Sequence, residues 1–146
     1  MLGSERMTRI FVYGTLRKGM YNYDIYLKNK KSLKQYGYVQ GTLYTVKGAD
    51  YPALLLEGND MIIGEIHEVN DKTLKLINEL ECYYGENCIE NEYDQMICPI
   101  YDRHNHFLEN LPVYVFNMRN PENQKILGER IECLDYVRYI NEKTTL

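Results

Sequence analysis

The chain has no tryptophan and no basic surplus: 17 Lys and Arg stand against 21 Asp and Glu, a formal net charge of -4. A protein that grips a nucleic-acid backbone carries a basic excess or stripe. The one short basic cluster, Lys28-Asn29-Lys30-Lys31, reads as the solvated C-terminal end of a helix. No nucleic-acid partner is expected. No run of about twenty apolar residues occurs, and the longest apolar cluster, Ala53-Leu54-Leu55-Leu56, is strand-sized. No membrane span or membrane partner is expected. No secretory apolar core follows Met1, so the expected location is cytoplasmic. The four cysteines, Cys82, Cys88, Cys98 and Cys133, contain no C-x-x-C pair and are expected to be reduced. Cys88, Cys98, His104 and His106 lie near one another but lack the spacing of a zinc module, so no metal is expected. Asp102-Arg103-His104-Asn105-His106 reads as a polar turn between strands. A cysteine hydrolase fits poorly, because no Cys sits in a nucleophile turn and the only histidines are His67, His104 and His106.

What the chain does have is tyrosine, 15 residues of it. These suit half-buried strands and cavities with polar tips. The most informative segment is Ile10-Phe11-Val12-Tyr13-Gly14-Thr15-Leu16-Arg17. A short apolar run ends abruptly at a glycine, which reads as a buried strand feeding a sharp turn. With no side chain on Gly14, Thr15 and Leu16 can present bare N–H groups to an anion or a carbonyl.

Residues 1–8 read as an N-terminal tail and 9–146 as one domain. Strands are expected over 9–13, 53–56, 61–69, 93–101 and 111–116. One or two more are expected within 33–46, with an irregularity at Gly37. Pro112 favours a strand start or an edge. Helices are expected from Asn22 to about Lys28, with Ile25 and Tyr26 inward, from Asp71 to Glu81 under an Asn70 or Asp71 cap, and over 131–140, with Leu134, Tyr136 and Val137 inward. Residues 83–91 and 119–123 read as loops. This mix argues an α+β fold with a strongly curved or closed sheet.

In the 71–81 helix, Leu74, Ile77 and Glu81 fall at i, i+3 and i+7, on one face that Leu76 and Leu80 widen. Lys72, Lys75 and Glu79 lie opposite. Glu81 therefore continues an apolar stripe. Burial raises a carboxyl's pKa toward neutrality, which suits a general base. Periodicity leaves open that the helix frays there and Glu81 turns to solvent.

Taken in order, Tyr13-Gly14-Thr15-Leu16, Gly41-Thr42-Leu43-Tyr44, Tyr51-Pro52-Ala53-Leu54, Gly64-Glu65-Ile66-His67-Glu68-Val69, Leu76 to Glu81, Val113-Tyr114-Val115-Phe116 and Asp135-Tyr136 resemble the gamma-glutamylcyclotransferase-like (AIG2-like) family over residues 9 to 140. The resemblance implies a small mixed β-barrel with a few flanking helices and a cavity at one end. It makes Glu81 the catalytic residue and puts Glu79 out of register. It assigns Tyr13, Gly14, Thr15 and Leu16 to the substrate's glutamyl part, with Arg17, Asn22 and Tyr114 as possible support. Glu65 is expected to be structural or solvent-facing. Three positions depart from the family pattern: Asn78 stands where Asp is usual, Gln95 where many relatives carry Arg, and Tyr136 where Trp is usual.

The chemistry implied is intramolecular aminolysis. The α-amino nitrogen of a γ-glutamyl compound attacks its own γ-carbonyl carbon, giving 5-oxoproline and a released amine or amino acid. The nucleophile is tethered, so proximity is built into the substrate. The remaining needs are a proton carrier and an oxyanion site made of backbone N–H groups. No cofactor is required. The expected partner is a small γ-glutamyl amino acid, amine or peptide. Two alternatives stand beside this: a non-catalytic domain that holds a small metabolite, and an enzyme that removes a γ-glutamyl group from a larger product.

Overall fold

Two glycines set how tightly the main sheet curls. In the computed structural model, which describes residues 6–28 and 35–144, Gly37 pairs directly with Gly64. The ring of Phe11, fully buried, fills the space they leave. A Cβ on Gly64 would lie 2.4 Å from Phe11 Cζ and 2.3 Å from the Val12 carbonyl oxygen, and one on Gly37 would lie 2.7 Å from Ile100 Cγ2. No larger residue fits at either position without moving the sheet.

In chain order the elements are β1 (Met7–Val12), α1 (Tyr21–Tyr26), β2 (Gln35–Gln40), β3 (Thr42–Val46), β4 (Pro52–Leu55), β5 (Met61–Asn70), α2 (Asp71–Leu80), β6 (Tyr93–Tyr101), β7 (Phe107–Phe116), α3 (Pro121–Ile126), β8 (Leu127–Ile131) and α4 (Tyr136–Thr144). A five-stranded sheet runs β1-β5-β2-β6-β7, and a three-stranded sheet runs β4-β3-β8. Their ladders are antiparallel. The larger sheet curls until β1 packs against β7, so the α+β barrel-like expectation holds, with the barrel left open at that seam. Inside the curl lie Phe11, Val39, Ile62, Ile66, Ile100 and Val113. On the other side, Ile10, Val12, Leu27, Val69, Ile77 and Tyr93 form a second core under α1 and α2. With both faces covered, β5 is buried along most of its length, the polar Glu65 and His67 included.

Several boundaries differ from expectation. β1 begins at Met7, so Met7 and Thr8, read as tail, pair with Asn70 and Val69. Residues 1–5, and the basic cluster beyond Lys28, lie outside the described residues. Gly37 sits in regular register, and the break between β2 and β3 falls at Gly41. Helix α1 buries Asn22 and Tyr23, with Leu27 buried just beyond it. Ile25, expected inward, is exposed because it lies two residues past Tyr23, about 200° round the helix. Leu76 and Leu134 are likewise exposed. Strand β7 starts four residues early, and Pro112 is tolerated within it because β7 is an edge strand. The 119–123 tract opens α3: Asn120 caps it by accepting from the Glu122 N–H at 2.9 Å, and Pro121 takes the first turn. Residues 127–131 form β8, which the 131–140 helix expectation missed. Among the described residues no helix is long and apolar enough to cross a membrane.

Candidate active site

The β1 strand delivers Tyr13 and then a turn. The Arg17 N–H donates to the Gly14 carbonyl at 3.0 Å, which leaves Thr15 and Leu16 as the central residues of the turn. The turn is tied down from α1. Asn22 Nδ2 donates to Thr15 Oγ1 at 2.8 Å and the Tyr23 N–H donates to the Thr15 carbonyl at 3.1 Å. Gly14 is needed here for close approach, since a Cβ would stand 2.9 Å from Pro52 Cδ. The turn and Pro52 thus form two adjoining walls of one cavity.

That cavity holds about 220 Å³, below the ~300–1,000 Å³ common for drug-sized ligands and suited to a small head group. Tyr13, Gly14, Thr15, Leu16, Asn22, Glu81 and Tyr114 all line it, so the structure brings together the seven. Arg17 does not join them. It is 4% exposed, its Nε donates to Glu65 Oε2 at 3.1 Å and its Nη1 donates to Asp135 Oδ1 at 2.6 Å. Glu65 also accepts from the Lys18 N–H at 2.9 Å and meets His67 Nε2 at 3.0 Å. Desolvation works to raise the Glu65 pKa, but His67, the Lys18 N–H and Arg17 together hold it below the usual carboxylate range. Arg17 is therefore buried, with its guanidinium on Glu65 and Asp135 rather than lining the cavity; it pins the chain after the turn onto β5 and onto the segment leading into α4.

Glu81 is the C-cap of α2 rather than part of its last turn. The Cys82 N–H donates to the Glu79 carbonyl at 3.1 Å and the Tyr83 N–H donates to the Asn78 carbonyl at 2.9 Å. These two bonds close the helix as a Schellman motif, with Cys82 in the left-handed region at φ 52°. Glu81 is held rather than frayed, and it lines the cavity. Burial, then the nearby Glu92 charge, push its pKa up to about 8. Glu79 is exposed on the opposite side of the helix.

Tyrosine hydroxyls tie the walls together. Tyr13 donates to the Tyr114 carbonyl at 2.5 Å across the β1–β7 seam, and Tyr93 donates to the Pro52 carbonyl at 2.6 Å. Burial foremost raises both phenols well above their ordinary range. The Tyr114 hydroxyl donates to Asn78 Oδ1, and Gln95 Nε2 reaches both, at 3.0 Å to Asn78 Oδ1 and 3.4 Å to the Tyr114 oxygen. The two amides that depart from the family pattern thus meet on one cavity side chain. Asp50, Tyr21, Tyr51 and Glu92 also line the cavity and were missed from sequence. Tyr136, where Trp was usual, is buried and donates to the Asp50 carbonyl at 2.6 Å.

The family model described as gamma-glutamyl cyclotransferase, AIG2-like, matches residues 10–138. The gamma-L-glutamyl-butirosin B gamma-glutamyl cyclotransferase of Niallia circulans is 42% identical over 94 residues, covering 64% of this chain and 58% of that protein. A putative gamma-glutamylcyclotransferase of Methanocaldococcus jannaschii is 40% identical over 82 residues, covering 51% of this chain and 62% of that protein. The chain thus spans less than two thirds of the length of either relative. Among solved structures, an uncharacterised protein of Pyrococcus horikoshii superposes with a TM-score of 0.64 at 26% identity, covering 94% of this chain and 97% of that one. A mouse AIG2-like protein superposes with a TM-score of 0.60 at 22% identity, over 83% of this chain and 84% of that one, a likeness of fold.

Proposed function

Because the chain belongs to the gamma-glutamyl cyclotransferase, AIG2-like family, we propose that it closes the γ-glutamyl part of a small amide into 5-oxoproline and releases the amine, with Glu81 carrying the protons. The observation that supports this most is a raised carboxyl on a cavity-lining residue, with a turn whose central residues also line that cavity. A carboxyl raised to about 8 is a stronger base than an ordinary carboxylate and so lies closer in pKa to the substrate's α-ammonium. Narrowing that gap lowers the cost of moving the proton, which favours general-base action.

The steps balance. Glu81 takes a proton from the α-ammonium, and the freed nitrogen attacks the γ-carbonyl carbon. The carbonyl oxygen becomes an oxyanion, and the N–H groups of Thr15 and Leu16, which line the cavity at the turn, are the donors assigned to it. Collapse breaks the bond to the leaving nitrogen, to which Glu81 returns the proton. The ring nitrogen, still carrying an extra proton after attack, gives that second proton to Glu81, which passes it to the released amine; two protons thus leave the α-nitrogen, two reach the amine, and Glu81 ends as it began. An incoming ammonium also favours the ionised carboxylate, so binding activates the base.

A second reading, removal of a γ-glutamyl group from a larger product, is favoured by the likeness to the relative named for gamma-L-glutamyl-butirosin B. The distinguishing measurement is 5-oxoproline release by mass spectrometry from γ-glutamyl amino acids, amines and larger amides, with Glu81→Gln in parallel. Turnover that collapses in the variant is expected. No turnover on any amide, with 5-oxoproline or glutamate still bound, would leave a binding domain.

A further inference from the structure

The cavity is polarised twice over, in charge and in hydrogen-bond direction. Besides the proton-carrying Glu81, two carboxylates line it, Asp50 and Glu92, and among the described lining residues there is no Lys, Arg or His. Independently, its five tyrosine hydroxyls all spend their proton on the protein. Tyr13 and Tyr93 donate to backbone carbonyls, Tyr114 to Asn78, Tyr21 to Asp50 at 2.9 Å and Tyr51 to Glu92 at 2.8 Å. Each hydroxyl therefore turns only acceptor lone pairs toward a ligand. A ligand rich in N–H donors and positive charge satisfies this lining. A ligand that brings a second carboxylate meets like charge and no donors on those side chains.

The two groups are placed at different depths. Asp50 and Tyr21 are exposed at the rim, whereas Glu92 and Tyr51 are half-buried. The glutamyl head carries a carboxylate of its own and is repelled by Asp50 and Glu92, so it belongs at the turn of Gly14, Thr15 and Leu16, which holds no acidic side chain. The part of the substrate left to meet Asp50 and Glu92 is the leaving amine.

Resting on the cyclotransferase reading above, we propose that Asp50 and Glu92 determine specificity for a leaving group that carries a further ammonium, so that the preferred substrate class is the γ-glutamyl amide of a diamine or polyamine, and a γ-glutamyl amide whose leaving group carries a carboxylate is rejected.

Three amides of matched length test it: γ-glutamyl-diaminopentane, γ-glutamyl-hexylamine and γ-glutamyl-aminohexanoate, ending in ammonium, methyl and carboxylate. The expected kcat/KM order is cation, neutral, anion. The first exceeds the last by about tenfold at low salt, and the ratio shrinks as salt is added. Asp50→Asn lowers that ratio severalfold, and Asp50→Asn with Glu92→Gln abolishes it. Glu122→Gln makes the same charge change on α3, away from the cavity, and leaves the ratio unchanged. Using a ratio removes any uniform effect of Glu92 on Glu81. Equal rates, a preference for the carboxylate, or a ratio untouched in the double variant overturns the proposal. Calorimetric binding of the same amides runs alongside. If none yields 5-oxoproline, the cyclotransferase reading fails, yet a cation-first binding order still upholds the charge selection and a flat order overturns it.

Discussion

Glu81→Gln should abolish turnover and make the protein more stable, by an amount that depends on pH in a specified way. In the unfolded chain Glu81 titrates at its ordinary 4.5, and in the native protein burial and Glu92 move it to about 8. Between those values the native state holds a proton that the unfolded chain has released. Unfolding is then favoured increasingly as pH rises through this window, and the penalty is constant above about 8. At neutral pH the gap of between two and three units corresponds to about 3 kcal/mol of lost stability. Glutamine carries no ionisable group and escapes this cost, but its amide still needs hydrogen bonds, at about 1–3 kcal/mol if they are poorly made. A net gain of about 1–2 kcal/mol remains, worth about 3–6 °C in Tm for a chain of this size. The assay is urea or thermal unfolding of both proteins from mild acid to mild alkali. The stability difference should widen by about 1.4 kcal/mol per pH unit between the two pKa values and then level off. A difference that does not change with pH, or a variant that loses ground as pH rises, would refute the buried, raised carboxyl.

Glu92 is the second cause of the Glu81 shift, so Glu92→Gln should move the acid limb of kcat/KM from about 8 toward lower pH. A limb that stays in place would show that Glu92 and Glu81 do not interact. Arg17→Met should cost about 3–5 kcal/mol at neutral pH by leaving Glu65 buried without its guanidinium partner. Glu65 is held low in the native state, so its contribution is present above its unfolded pKa and is lost as pH falls. The deficit of the variant in urea unfolding should therefore shrink on acidification, and a deficit constant with pH would point to lost packing alone.

How far the sequence speaks depends on the range of each interaction. Glu81 is legible because a helix repeats every few residues, and its place after Leu74 and Ile77 is local arithmetic. What holds it is less legible: a left-handed cap is signalled by glycine, and here Cys82 occupies that position. The turn at Gly14 is local and was found. The fate of Arg17 is decided by Glu65 and Asp135, 48 and 118 residues away, and nothing in its neighbourhood signals burial. Asp50 and Glu92 belong to connecting segments with no period to break, so single carboxylates there carry no mark. Helix α3 was readable, since Asn120-Pro121-Glu122 is a cap, a first-turn proline and an acidic first turn, but the same residues also make loops.

Asn78 and Gln95 look like two separate departures when only the sequence is in view. They lie 17 residues apart, on α2 and β6, and in the structure they are one hydrogen-bonded unit with Tyr114. Asn78 stands one helical turn before Glu81, so an aspartate there would add negative charge beside the candidate base and raise its pKa further. An arginine at 95 would work the other way. Replacing both by amides removes one charge of each sign and leaves the Tyr114 hydroxyl oriented. Asn78→Asp alone should then move the acid limb of kcat/KM up and lower stability, because the new carboxylate lacks a cation. Adding Gln95→Arg should reverse both effects, with a coupling of at least about 1 kcal/mol in urea unfolding, as expected for residues in one network. Additive effects of the two substitutions would mean that the amides act independently, and that Tyr114 is positioned by the strand rather than by them.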